Sequence, residues 1–293
     1  MPIRAFQKGD APGLVELSRD CARGESDFVL NPLWEDEAEL FAEFERFGID
    51  PALHLLVADA GDGEVQGLVG FLRRPDDRAA GMFCPVVRRS ERGRGVGGEL
   101  LRAALARAPK QGIALLTAGV GTRNRGGYAL LTSHGFRPVR QAFLMRCAAK
   151  PAPKPPLPEL VFEPARAEDA DAILAVYATC GFAPRSAEEM RALQSDGRHA
   201  HAVARQDGRV VAFAELDTHW PRRPWVAYAG VEKELRDRGV GSSLVAWALA
   251  RRFEDGAVCG QLTLSPANRT ALRAYEKVGF RRFRLVDVLE KGL

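Results

Sequence analysis

The hexapeptide Arg92-Gly93-Arg94-Gly95-Val96-Gly97 returns 144 residues later as Arg236-Asp237-Arg238-Gly239-Val240-Gly241, each copy following an apolar stretch and opening a helical pattern. A lone glycine-rich turn arises often by chance, whereas a repeat that keeps its neighbours in register does not. The same offset carries Asn124 onto Asn268, Gly135 onto Gly279 and Phe136 onto Phe280. Nearer each N-terminus the offset becomes 159, pairing Asp10 with Asp169, Leu14 with Ile173 and Cys21 with Cys180. Two homologous units are therefore expected, and the first must hold extra residues. These fall at 26–50 and include an acidic amphipathic helix with Leu40, Phe41, Phe44 and Phe47 on one face.

The 293 residues suffice for two domains that each bury a core. A hydrophobic content of 46% and a charged content of 27% are those of a soluble globular chain. No apolar run approaches the roughly 18 to 20 residues of a membrane span, and Met1-Pro2-Ile3-Arg4 opens no secretory pattern. A cytoplasmic protein with no membrane partner is expected. Cys21, Cys84, Cys147, Cys180 and Cys259 are far apart and form no Cys-x-x-Cys, so they read as reduced, buried thiols. The formal charge of +4 is richest in arginine around the two glycine turns. That favours small anionic ligands over nucleic acid, which calls for a denser basic stripe with interleaved aromatics.

Residues 148–158 contain five prolines, which forbid helix and favour an extended spacer. The expected division is thus a domain at 1–147, a Pro-rich linker at 148–158 and a second domain at 159–293. In the second half, 160–164 reads as a strand, Asp169 as the cap of a helix carrying Ile173, Leu174 and Tyr177, and 187–193 as a short helix. A hairpin follows, 201–205 with 210–216, matched in the first half by 55–58 and 65–72 around Asp62-Gly63. Residues 225–231 form a strand entering the glycine turn. Leu244, Val245, Ala248 and Leu249 then show helical spacing, repeated as Leu100, Leu101, Ala104 and Leu105. A strand at 260–264, a helix at 268–277 and a strand at 282–289 close the pattern. This order specifies an α/β fold, a mixed sheet with helices on both faces, built twice.

Glycines where a helix starts leave backbone N–H groups facing a space that no side chain fills, and the helix dipole adds positive charge there. Phosphate suits such a place, and Arg92, Arg94, Arg236 and Arg238 add full charges able to bind it in a bidentate way. Gly93-x-Gly95-x-x-Gly98 also matches the dinucleotide fingerprint literally. The second copy lacks that pattern, the turn lies deep in its domain, and no acidic residue follows about twenty positions on. The phosphate loop of nucleotide triphosphatases is excluded by the missing Lys-Ser/Thr.

Arg-x-x-Gly-x-Gly at a strand-to-helix junction, followed by Asn268-x-x-Ala271-x-x-x-Tyr275-x-x-x-Gly279-Phe280, resembles the GNAT superfamily of N-acetyltransferases. The doubled plan is similar to that of the mycothiol synthase family. The resemblance implies two tandem acyl-coenzyme A N-acyltransferase domains and transfer of an acetyl group from acetyl-CoA to a primary amine of a small molecule or peptide. It implies that pyrophosphate rests on Arg236, Asp237, Arg238, Gly239, Val240, Gly241 and Ser242. Pantetheine would pair like a strand along Ala229, Gly230 and Val231, with Asn268 as a further ligand, a helix cap, or both. In the first half the same places fall on Val87, Arg92, Gly93, Arg94, Gly95, Val96, Gly97 and Gly98. Strands 225–231 and 260–264 must splay to admit the arm, and an amide near Val231 would then face the thioester oxygen.

The resemblance places Tyr275 to protonate the departing thiolate; the plainer reading is a ring packed in the core. Glu215, with Asp217, His219 and Tyr228 nearby, is the candidate base, through desolvation among Val211, Ala212, Phe213 and Ala214. It is otherwise an outward-facing surface carboxylate, and water can serve as the relay instead. His199-x-His201 lacks a third ligand, so no metal is expected.

The first half departs where chemistry is needed. Leu131 stands for Tyr275, Gly70 for Glu215 and Gly127 for Ala271, while Tyr128 lies one turn early and Pro85 removes an amide donor. That half is expected to bind coenzyme A or a related phosphate and to catalyse poorly or not at all. Two other functions fit the doubled pattern: an acyl-CoA-binding scaffold without turnover, and an aminoacyl transferase using charged tRNA. The missing basic stripe counts against the second.

Overall fold

The computed structural model describes every residue except 49, 62, 74–76 and 154–156. The turn expected at Asp62-Gly63 and the middle of the expected linker reach into these positions and so lie partly outside the described residues. The flanking 148–153 and 157–160 form neither helix nor strand. Two compact units result, one of Met1–Ala142 with Arg284–Leu293, the other of Phe143–Phe283.

The first unit runs through β1 (Ile3–Ala5), α1 (Ala11–Arg23), α2 (Glu37–Phe47), α3 (Pro51–His54), β2 (Leu55–Asp59), β3 (Val65–Leu72) and β4 (Ala79–Val87). It continues through α4 (Val96–Arg107), β5 (Leu115–Gly121), α5 (Arg125–Ser133) and the start of β6 (Arg137–Cys147). Strands β1 to β4 are joined antiparallel, and β4 meets β5 in parallel at Ala79↔Leu115 to Gly81↔Thr117. Leu100, Leu101 and Ala104 of α4 are buried as their spacing predicts. The extra residues do form the expected helix: Asp36 caps α2 by accepting from the Glu39 amide, and Leu40 and Phe44 are buried. Trp34, just before it, packs on Phe83 of β4 at 5.0 Å and donates to Glu43 at 2.6 Å.

The second unit repeats the plan in β7 (Val161–Pro164), α6 (Ala170–Ala178), α7 (Ala187–Ser195), β8 (His199–Gln206), β9 (Arg209–Asp217) and β10 (Trp225–Val231). After these come α8 (Val240–Glu254), β11 (Gly260–Leu264), α9 (Arg269–Val278) and β12 (Arg281–Gly292). The β8–β9 hairpin turns through Asp207 and Gly208, both left-handed at φ 50° and 78°, the pair of conformations that matches strand twist in a two-residue loop. Alternation along β8 sends Ala200, Ala202 and Ala204 to the core beneath α8, and Val203 to the core beneath α6 and α7. Both faces are thus covered.

The units do not coincide with the contiguous halves expected from the repeat. In the first unit the edge of β5 is completed by β12, paired antiparallel from Val286↔Gly121 to Gly292↔Leu115. In the second, β11 is completed by β6, from Gly260↔Cys147 to Leu264↔Phe143. The two final strands are equivalent copies, so sequence register does not say which sheet each completes. Asp169 also differs from expectation: its carboxylate accepts from the Arg166 amide and from Arg205 Nη2 at 2.7–2.8 Å, and makes no cap on α6.

Candidate active site

In the second unit the glycine turn is built by alternating backbone hands. Asp237 and Gly239 are left-handed at φ 61° and 83°, and Gly239 becomes the N-cap of α8. The first bond of that helix runs from the Ser243 amide to Gly239 O, so the amides of Val240, Gly241 and Ser242 precede it and point outward. A Cβ at Gly241 would meet Val231 Cγ2 at 3.1 Å, which explains why glycine stands where helix and strand approach. The Ser242 hydroxyl donates back to Gly239 O at 2.9 Å, leaving its amide facing outward.

The arginines divide their labour. Arg236 turns inward: its Nε donates to Val231 O at 2.9 Å, and its Nη2 to Thr179 O and Oγ1. It fastens the turn to β10 and to Thr179, just after α6, through neutral oxygens, and among the described residues no carboxylate pairs with it. Arg238 is exposed at the mouth of the turn.

The parallel strands splay as the resemblance requires. Among the described residues β10 pairs with β11 at Trp225↔Gln261 alone, and it carries a bulge between Val226 and Tyr228. The edge of β10 that holds Ala229, Gly230 and Val231 is therefore free of strand partners on that side, and a bulge re-aims the amides that follow it. Asn268 caps α9, its Oδ1 accepting from the Ala271 amide at 3.1 Å. Tyr275, two turns along that helix, packs edge to face on Phe280 at 5.6 Å, and burial pushes its phenol up to about 12.

Glu215 is buried, not an outward-facing surface carboxylate. Burial works to raise its pKa, but hydrogen bonds from His201 and Arg185 hold it below the ordinary carboxylate value. Arg185 Nη1 lies 2.6 Å from Oε2, with His201 Nε2 at 3.5 Å. The raised pKa expected of a base in an apolar strand is therefore not found. The reason is His201 together with Arg185, which no periodicity marks: Arg185 comes from the loop after α6 and lies over the rings of Tyr177 and Tyr228, at 4.9 and 5.0 Å. Phe182 completes this aromatic wall, 4.9 Å from Tyr177 and 5.0 Å from Tyr228. Among the described residues no group of three His, Cys, Asp or Glu is placed to hold a metal, and no helix is long and apolar enough to cross a membrane.

The first unit repeats the turn faithfully. Gly93 and Gly95 are left-handed at φ 78° and 88°, Gly95 caps α4, and Arg92 Nε donates to Val87 O at 2.9 Å. The amides of Val96, Gly97 and Gly98 precede the first bond of α4, from Glu99 to Gly95 O. A cavity of about 350 Å³ opens beside them, lined also by Asp27, Pro85, Val87, Asn124 and Leu130. Leu131, in the place of Tyr275, is buried. At Gly70, in the place of Glu215, a Cβ would meet His54 O at 2.6 Å, so no side chain fits. Asp27 is a site residue that sequence reasoning misses: it binds Arg89 and Arg92, each at 3.0 Å. Its signal is the apolar run Phe28-Val29-Leu30, strand-like within the extra residues.

The acetyltransferase (GNAT) family matches residues 14–136 and 170–280. The mycothiol acetyltransferase of Thermobispora bispora is 29% identical over 301 residues, covering 96% of this chain and 95% of that protein. That of Thermomonospora curvata is 30% identical over 243 residues, covering 78% and 79%. In fold, the chain is similar to a GCN5-related N-acetyltransferase from Sphaerobacter thermophilus, with a TM-score of 0.80 at 19% identity, over 99% of this chain and 95% of that one. A tandem GNAT protein of the clavulanic acid pathway gives 0.73 at 17%, over 99% and 98%. With both copies of the repeat matched, the chain belongs to the GNAT family of acetyltransferases, in its tandem form.

Proposed function

We propose that the chain transfers an acetyl group from acetyl-CoA to a primary amine of a small molecule, with the chemistry in the second unit. The observation that carries this reading is the splay of β10 from β11 beyond Trp225↔Gln261, with the amides of α8 at its end. The relatives, mycothiol acetyltransferases, agree with a small acceptor. A bound thioester supplies the electrophilic acyl carbon. Ala229, Gly230 and Val231 offer strand-like pairing to the pantetheine arm, and Val240, Gly241 and Ser242 offer their amides to pyrophosphate, with Arg238 adding charge.

Tyr275 holds its proton throughout the physiological range, because burial pushes it up to about 12. It is thus always charged with the proton that a departing thiolate takes. Glu215 is held ionised by His201 and Arg185 and is a weak base; its part is to fix the guanidinium against Tyr177 and Tyr228. The ammonium proton of the acceptor leaves through water. The test is thiol release from acetyl-CoA by the full chain against a panel of primary amines. Release with at least one amine, matched by N-acetylated product in mass spectrometry, is expected, and acetyl-CoA binding without product from any amine would favour a scaffold.

A further inference from the structure

We propose that residues 28–31 of the first unit stand where the second unit receives the pantetheine arm, so that the first unit admits no acyl thioester. This deepens the reading that chemistry belongs to the second unit, and it rests on that reading. Beyond Gly81↔Thr117 the parallel strands β4 and β5 separate, as β10 and β11 do. Segment 28–31 lies in the gap and bonds to both walls. On the β5 side, Leu30 N donates to Gly119 O at 2.8 Å, and Gly121 N donates to Phe28 O at 2.9 Å. On the β4 side, Cys84 N donates to Asn31 O at 3.0 Å.

The 144-residue offset carries Cys84 onto Tyr228, next to the stretch 229–231 of β10 offered to the arm. Asn124, equivalent to Asn268, caps α5 and also gives its Nδ2 to Phe28 O at 3.2 Å. The walls are shaped for this occupant. A Cβ at Gly119 would meet Leu30 Cβ at 2.7 Å, and one at Gly121 would meet Phe28 Cβ at 3.2 Å. Phe28 and Val29 are buried, and Trp34 behind them is wedged on Phe83. The cavity beside α4 therefore stops at Asp27, leaving room near the turn and none where a thioester would sit.

Residue-resolved amide hydrogen exchange on the full chain, with and without saturating acetyl-CoA, tests the proposal. The amides of Leu30, Cys84 and Gly121 should be protected by at least ~100-fold without ligand, as for buried bonds, and acetyl-CoA should not speed their exchange. Exchange of these three at the rate of an open loop, or faster exchange once acetyl-CoA is added, would overturn it. The amides of Ala229 and Val231 report separately. If acetyl-CoA leaves them unchanged, the assignment of the donor site to the second unit fails, while Leu30, Cys84 and Gly121 still show whether the gap in the first unit is filled.

Discussion

The two glycine turns share their backbone and differ in what their charges do. In the first unit Asp27 takes Arg92 and Arg89, and Glu91 takes Arg94 at 3.2 Å. In the second, Arg236 bonds oxygens of Val231 and Thr179 and the Cys180 sulfur, and Leu235 replaces Glu91, so no equivalent acid among the described residues draws Arg238 aside. One turn is neutralised from within and the other presents its charge outward. A shared motif shape thus does not imply a shared binding energy; the neighbours decide how much of the cation remains for an anion. Away from the turn the units differ in another way: Arg4 of β1 binds Asp10 and Asp59, whereas Glu163 of β7 and Asp169 bind Arg205 of β8, one cluster in which the arginine and one acid have changed strands.

The largest effect is expected at Tyr275. Tyr275→Phe should lower kcat by ~100-fold or more, the scale of a lost general acid, with acetyl-CoA affinity within twofold. Because its phenol is pushed up to about 12, kcat should show no alkaline decline from this group below that pH. Leu131→Tyr in the first unit should restore nothing to that variant. Rescue by Leu131→Tyr would erase the distinction between the units.

Next comes the Arg185–Glu215 pair. Glu215→Gln leaves a guanidinium only 13% exposed without its carboxylate, a loss of about 3 kcal/mol for a broken buried pair. Since Glu215 lies below its ordinary 4.5 in the folded state, its contribution is complete above that value and is lost as pH falls through the lower, folded pKa. The stability difference between Glu215→Gln and the parent, measured by chemical denaturation, should therefore be full at pH 7 and shrink in acid once pH falls below 4.5 and through the lower, folded pKa. A pH-independent difference would mean the carboxylate acts through packing alone.

A smaller pair of effects separates the turns directly. Gly239→Val forces a branched side chain into a left-handed position, a strain of roughly 1–2 kcal/mol at the head of α8, so KM for acetyl-CoA should rise about tenfold. Gly95→Val imposes the same strain in the first unit and should leave kcat and KM within twofold. Equal kinetic damage from both would show that the first turn also serves the reaction.

Much of the fold is legible in the chain, and part of the site is not. The repeat register, the helix spacing and the glycine turn specify the elements, because each depends on local pattern and backbone chirality. Asn268 reads as cap or ligand, and the geometry shows the cap. The environment of Glu215 is hidden because its partner Arg185 lies 30 residues away on a loop, a contact that periodicity does not encode. Asp27 and Phe28-Val29-Leu30-Asn31 are hidden for a different reason: they lie in the extra residues, where the second half offers nothing to align. The exchange of β6 and β12 leaves no trace because homologous strands carry the same pattern and either satisfies either edge.

The smallest expected effect isolates charge from shape. Within the repeated hexapeptide, Asp237 is the one residue of the second turn that replaces a glycine of the first, and it is left-handed at φ 61° against 78° for Gly93. Asp237→Gly removes about 1 kcal/mol of backbone strain, but glycine's freedom in the unfolded chain takes back ~0.4–1 kcal/mol, so Tm should barely move. The carboxylate, however, adds a negative charge to the turn next to Arg238 and ahead of α8, and a charge near a helix N-terminus is worth roughly 0.3–1 kcal/mol. Acetyl-CoA should therefore bind about threefold tighter to Asp237→Gly in calorimetry, with the gain shrinking as salt is added. The reverse change, Gly93→Asp, should alter neither turnover nor KM, because the first turn is neutralised already and closed to the thioester. If Asp237→Gly binds more weakly, the carboxylate must be ordering the turn, and shape would then outweigh charge in separating the two units.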